Sequence, residues 1–115
     1  MKTLIIIPTY NEIDNVGRII PAVLDQSPEV EVLVVDDNSP DGTADVVRKL
    51  TEENGRIHLL KRPGKMGLGT AYVAGFRFAI AHGFDYVMEM DADFSHDPAE
   101  IPNFLSAIQE QDLIL

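Results

Sequence analysis

Short apolar runs alternate along this chain with longer stretches in which apolar residues return every three or four positions. That alternation predicts strands separated by amphipathic helices. Leu4-Ile-Ile-Ile7 reads as the first strand. Val16, Ile19, Ile20, Val23 and Leu24 then fall at i, i+3, i+4, i+7 and i+8, on one helical face. Glu31-Val-Leu-Val-Val35 is the second strand, ending at Asp36-Asp37. Ser39-Pro-Asp-Gly-Thr43 is a turn rich in capping residues, and Ala44, Val47 and Leu50 mark the inner stripe of the helix after it. A third strand runs from Ile57 to Leu60, after which Pro63, Gly64, Gly67 and Gly69 interrupt regular structure. The next helix spans Leu68 to Ala81, with a core face predicted at Leu68, Tyr72, Phe76, Ala79 and Ile80. Tyr86 to Met90 is the fourth strand, and a last helix carries Ile101, Phe104, Leu105 and Ile108 at amphipathic spacing. Pro98 and Pro102 both favour a first-turn position, and the regular part of that helix is placed after Pro102.

Buried strands alternating with helices define an α/β fold, with a mostly parallel sheet flanked by helices. The chain closes on Asp112-Leu-Ile-Leu115, which reads as the opening of a fifth strand with no helix, turn or cap behind it. The sheet is therefore expected to be truncated there, the chain to be a fragment, and one sheet edge to lie unprotected.

Bulk composition narrows the function. At 115 residues, 45% hydrophobic and 24% charged, the chain suits one packed domain. Nine Lys and Arg against nineteen Asp and Glu give a formal charge of −10, which argues against a nucleic-acid partner. The same charge repels a nucleotide diphosphate, so a phosphate ligand requires local basic groups or a divalent cation. The absence of cysteine excludes a disulfide framework and a thiolate metal site, and it fits a reducing compartment. The Leu4–Ile7 run is far shorter than a signal-peptide core or a spanning helix, so the chain is expected to be neither exported nor membrane-spanning. Peripheral attachment to a membrane through a further C-terminal region stays open.

In a parallel α/β sheet, ligands sit beyond the carboxyl ends of the strands. The residues there are polar in three clusters: Pro8-Thr-Tyr-Asn-Glu12, Asp36-Asp37-Asn38-Ser39 and Asp91-Ala-Asp93. In an extended segment, residues i and i+2 point the same way, roughly 6.5–7 Å apart. Asp91 and Asp93 can then share one divalent ion, for which Mg²⁺ and Mn²⁺ are the natural hard-oxygen candidates. A lone Asp-x-Asp is also a common solvated turn or helix cap; the preceding buried strand and the polar Phe94-Ser-His-Asp-Pro98 loop set this one apart. Ser39, Asp41 and Thr43 read as turn and capping chemistry. Asp37 can accept hydrogen bonds from a nucleotide base or ribose, Tyr10 can stack on that base or merely pack, and Glu12 either orients the ligand or caps the first helix. Gly67-Leu-Gly69 resembles a dinucleotide fingerprint, but it follows the third strand, and Tyr72 stands where the third glycine is required. Lys61, Arg62 and Lys65 read as positive charge near a phosphate, or as a solvated basic loop. His58, His82 and His96 lack metal-site spacing, and only His96 falls by the crevice. An aspartyl nucleophile on Asp91, for phosphotransfer, is a second enzymatic reading of the pair. A non-catalytic nucleotide-binding fragment is a third.

Four segments in register carry a resemblance: Pro8-Thr-Tyr-Asn-Glu12, Val35-Asp-Asp-Asn-Ser-Pro-Asp-Gly-Thr43, Gly67-Leu-Gly-Thr-Ala-Tyr72 and Met90-Asp-Ala-Asp-Phe-Ser-His96. Together they resemble the polyprenol-phosphate mannosyltransferases of glycosyltransferase family 2, over essentially the whole chain. The resemblance implies a GT-A, Rossmann-like nucleotide-sugar-binding fold. It also implies inverting, Mg²⁺- or Mn²⁺-dependent transfer of mannose from GDP-mannose to a polyprenyl phosphate. UDP-glucose-dependent transfer and other family 2 activities are the alternatives. It assigns nucleotide contact to Pro8, Tyr10, Glu12, Val35 and Asp37, places Asp91, Ala92 and Asp93 at the donor, and puts Asp93 on the metal with Asp91 beside it. On this reading residues 1–115 are the donor-binding half of the domain, and the acceptor site and further basic phosphate contacts lie outside them. The expected place of work is the cytoplasmic face of a membrane, reached through the lipid acceptor or a C-terminal region.

Overall fold

The structure, a computed structural model, describes residues 2–64 and 67–111. Strand β1 (Thr3–Thr9) leads through helix α1 (Ile13–Leu24) to β2 (Val30–Asp36), and α2 (Thr43–Glu53) leads on to β3 (Ile57–Lys61). Helix α3 (Leu68–Ala81) then carries the chain to β4 (Tyr86–Glu89), followed by a 3-10 turn (Pro98–Glu100) and α4 (Ile101–Gln111). All strand pairs are parallel and the order is β3-β2-β1-β4. The chain builds outward from β1 to β3 and then jumps to the far side of β1. The crevice between β1 and β4 is therefore the topological switch point at which such sheets bind ligands.

Because side chains alternate across a strand, each central strand feeds two cores. Ile5, Ile7, Val32 and Val34 meet Val16, Ile19, Ile20 and Val23 of α1, Val47 of α2, and Ile101 and Leu105 of α4 on one face. Leu4, Ile6, Leu33 and Val35 meet Ala71 and Ala79 of α3 on the other. This double coverage explains why β1 and β2 are apolar nearly throughout. The predicted face of α1 is buried at all five positions, and Ala44 and Val47 of α2 are buried with Leu50 packed beside them. Strands β1, β2 and β3 run one or two residues past their apolar runs, since the pairing register continues through Thr9, Asp36 and Lys61, whereas β4 ends at Glu89, one residue short of the expected Met90.

Two expectations are corrected. Helix α3 does not bury Phe76 and Ile80, which are 40% and 80% exposed; it rests on Ala71, Gly75 and Ala79, with Tyr72 and Phe78 half-buried at its flanks. The branched aliphatics of β1 and β2 already fill that layer, so the helix approaches through its smallest residues, and a β-carbon at Gly75 would meet Ile6. The last helix starts at Ile101 rather than after Pro102. Pro98 opens the 3-10 turn, where the Asp97 carboxylate accepts from the Ala99 N–H, and the helix grows directly from that turn. Ile101 and Leu105 form its buried face, while Phe104 is exposed. The side chains of Leu68 and Ile108, and the fifth strand expected at Asp112–Leu115, lie outside the described residues.

Candidate active site

At the carboxyl ends of the strands a cleft of about 210 Å³ opens between the loops that follow β1, β2 and β4, with Gly67 at its rim. Pro8, Thr9, Tyr10, Glu12, Asp37, Asp91, Ala92 and Asp93 line the rest of it. Each of the three loops holds one non-glycine residue in the left-handed region: Asn11 at φ 56°, Asn38 at 55° and Phe94 at 64°. Such conformations are costly for L residues and persist where surrounding contacts impose them.

Those contacts are identifiable. Asp36, fully buried at the end of β2, accepts from the Thr9 hydroxyl (2.7 Å), the Ser39 hydroxyl (2.7 Å) and the Ser39 N–H (3.0 Å). The 39–43 loop then reaches across to the start of α1. Asn11 N–H donates to Ser39 Oγ (2.9 Å), Glu12 N–H to Thr43 Oγ1 (3.0 Å) and Ile13 N–H to Asp41 Oδ2 (3.2 Å). Ser39, Asp41 and Thr43 thus do turn and capping work as expected, but all three serve the amides at the start of the helix before them, and Asp41 alone also accepts from the first N–H of α2, that of Thr43 (3.0 Å). Burial alone would raise the Asp41 pKa; hydrogen bonds from the Thr43 hydroxyl and from the Ile13 and Thr43 N–H groups outweigh it and hold the carboxyl below its ordinary value. With α1 capped from outside, Glu12 makes no side-chain cap bond; its carboxylate accepts from Asn15 Nδ2 (2.9 Å) and borders the cleft.

Asp37 also borders the cleft, and behind it stands Arg62. The guanidinium donates from Nε to Asp37 Oδ1 (2.6 Å) and from Nη2 to Oδ2 (2.9 Å), with both side chains about nine-tenths buried. Arg62 is therefore the partner of a carboxylate rather than free charge for a phosphate, a correction to the basic-loop reading. The sequence shows Arg62 only as one of three basic residues in a row of loop positions; the register β2 to β3, which sets Asp36 opposite Lys61, is what aligns it with Asp37. Lys61 is exposed, and Lys65 lies outside the described residues. The Val35 side chain is fully buried in the core beneath α3 and does not reach the cleft. Tyr10, 40% exposed, does.

Asp91-Ala92-Asp93 is a turn, not the extended segment the spacing argument assumes. Ala92 is buried in the core and anchors the turn, while both flanking carboxylates still open to the same cleft. Ser95 joins them: its hydroxyl donates to Asp91 Oδ2 (3.2 Å) and its N–H to Asp93 Oδ1 (2.9 Å). His96 Nδ1 accepts from the Asp91 N–H (3.2 Å), which orients the ring by the turn. The Ser95 hydroxyl and then its N–H hold the exposed Asp93 carboxyl below its ordinary pKa, so it is fully ionised at neutral pH. Tyr72 approaches from α3, and burial, then the charges of Asp91 and Glu89, push its hydroxyl pKa up. No group of three or more acidic, His or Cys ligands forms among the described residues. Two carboxylates that open to one cleft suit a hard divalent cation that takes its remaining ligands from water and from a substrate's phosphates.

Residues 4–115 match the family described as Glycosyl transferase family 2. The chain is 47% identical to an undecaprenyl-phosphate mannosyltransferase of Micrococcus luteus, over 100% of this chain and 47% of that protein. It is 45% identical to a polyprenol monophosphomannose synthase of Mycolicibacterium smegmatis, over 93% of this chain and 41% of that one. The solved mannosyltransferase PcManGT of Pyrobaculum calidifontis, in complex with GDP-Man and Mn²⁺, superposes at a TM-score of 0.70 with 29% identity, covering 80% of this chain and 27% of that chain. The architecture is that of GT-A glycosyltransferases. The chain spans about half the length of the curated relatives it matches. Among the described residues no helix is long and apolar enough to cross a membrane.

Proposed function

The chain belongs to glycosyltransferase family 2, and from that membership we propose that residues 1–115 are the donor-binding half of a transferase that moves mannose from GDP-mannose to a polyprenyl phosphate with inversion. The observation that carries this reading is the meeting, in one cleft, of the Asp91 and Asp93 carboxylates with Tyr10, Glu12 and Asp37. The mannosyltransferase relatives and the GDP-Man and Mn²⁺ complex of the structural neighbour support the choice of donor and sugar.

Tyr10 offers a ring face for the base, and Asp37 an acceptor for a base N–H or a ribose hydroxyl. Pro8 and Ala92 shape the walls, and Glu12 stands by the ribose side; Val35, buried in the core, supports the strand end that carries Asp37 without a side-chain contact of its own. Asp93, with Asp91, holds the divalent ion, Mg²⁺ or Mn²⁺. When bound, that ion neutralises the diphosphate against the acidic chain and favours its departure. An acceptor phosphate oxygen forms the new bond to the anomeric carbon as the bond to the diphosphate breaks, and GDP leaves. That oxygen is already ionised near neutral pH, so positioning replaces a strong general base. Lys65, outside the described residues, is our candidate for the positive charge that meets the donor phosphate. The lipid acceptor brings the protein to the cytoplasmic face of a membrane as a peripheral enzyme.

Calorimetry of GDP-mannose with and without Mn²⁺ tests this. Binding should require the metal and disappear in Asp93→Ala. Affinity indifferent to the metal, or unchanged in Asp93→Ala, overturns the proposal.

A further inference from the structure

We infer that Arg62 is the positioning residue of the nucleoside end of the cleft, and that the protein's preference for a base bearing a ring N–H depends on its two-pronged grip on Asp37. The inference rests on the proposed reading of the cleft as a nucleotide site. It adds a residue that does not line the cleft at all.

The grip has three parts. First, Nε and Nη2 each hold one oxygen of Asp37, at 2.6 and 2.9 Å, which fixes the plane of the carboxylate as well as its place. Second, the Arg62 N–H donates to the Asp36 carbonyl at 2.7 Å, so its backbone is tied to the strand end that carries Asp37. Third, Nη1 donates to Thr70 Oγ1 at 2.8 Å and Nη2 to the Gly67 carbonyl at 3.3 Å. One guanidinium therefore holds both Asp37 and the Gly67 rim of the same cleft.

An ionised carboxylate is acceptor-only. Guanine and uracil each carry a ring N–H on the edge a carboxylate can reach; adenine carries a bare ring nitrogen there. An acceptor locked in one plane discriminates sharply between the two, because the wrong base sets lone pair against lone pair in a desolvated site. An acceptor free to turn away from the wrong base discriminates poorly. Lysine preserves the charge of Arg62 but, as a point donor, cannot hold both oxygens and the Thr70 and Gly67 contacts together.

The test compares GDP and ADP affinities of the whole protein, in Mn²⁺, for the wild type, Arg62→Lys and Arg62→Gln, with thermal melting of each. Wild type should favour GDP by tenfold or more. Either variant should bring that ratio to within about threefold of unity, chiefly through loss of GDP affinity, and Asp37→Asn should lose the preference as well. Arg62→Gln keeps the readout available should Arg62→Lys not fold. A wild type without preference overturns the inference. So do variants that lose GDP and ADP affinity in equal proportion, since a merely structural role lowers both together. A wild type that binds neither nucleotide overturns the nucleotide-site reading itself.

Discussion

The Ile6 side chain occupies the space a β-carbon on residue 75 would need: built there, that carbon would stand 2.4 Å from Ile6 Cδ1. Ile6 is fully buried between β2 and β4, so it has no room to yield. Gly75→Ala gains about 1 kcal/mol in helix propensity, but overpacking a closed layer costs about 1–3 kcal/mol. A lower urea midpoint is expected for Gly75→Ala. Adding Ile6→Val, which removes the clashing Cδ1, should recover part of the loss; additivity of the two changes would contradict the packing account.

Asp41 sets an acid limit on the loop that caps α1. Its pKa is lower in the folded protein than in the unfolded chain. Its stabilising contribution is therefore complete above the unfolded value and is lost as pH falls through the folded one. Denaturation midpoints followed from pH 7 down through the carboxylate range should fall less steeply in Asp41→Asn than in wild type. Equal slopes would show that the carboxylate is not what holds the loop.

Asn11 is forced to φ 56° because its N–H must reach Ser39 Oγ while the next two amides reach Thr43 and Asp41. Glycine adopts that conformation freely and a β-branched residue does not. Asn11→Gly should leave the melting temperature nearly unchanged. Asn11→Val should cost about 1–3 kcal/mol, read by chemical denaturation.

Ser95 joins Asp91 to Asp93 without being an expected ligand of anything. Groups that orient metal ligands typically change affinity 10–100-fold when removed. In Ser95→Ala the Mn²⁺ concentration needed to support GDP-mannose binding should rise by about tenfold, with melting little changed because the loop is exposed. An unaltered Mn²⁺ requirement would reduce Ser95 to a turn residue.

Much of this protein is legible in its residues, and the limits of that reading have physical causes. Helix α1 is readable because one apolar stripe faces one core, so Val16 to Leu24 identify themselves by spacing. Helix α3 misleads because hydrophobicity and burial part company there: Ile80 is apolar and exposed, while Gly75 is silent in any hydropathy pattern and buried against Ile6. At the cleft, Asp37, Asp91 and Asp93 are found by their position after strands. Arg62 and Ser95 are not, because their roles depend on strand register and on a turn with Phe94 in the left-handed region, which local sequence does not display. Asp91 and Asp93 do line one cleft, but the spacing argument assumes an extended backbone, whereas a turn at Ala92-Asp93 with Ala92 buried on its core side brings them there.

The central place of β1 has a further consequence for how the protein comes into being. Its link to β2 closes over 27 residues at Thr9 and Asp36, whereas its link to β4 closes over 83 at Lys2 and Asp85. Loop-closure entropy rises with separation, and distant pairings form late. During synthesis the three-strand floor, with Tyr10, Asp37 and Arg62 in place, can gather on the ribosome before β4 emerges. The carboxylate pair then arrives as the closing piece of a partly finished pocket.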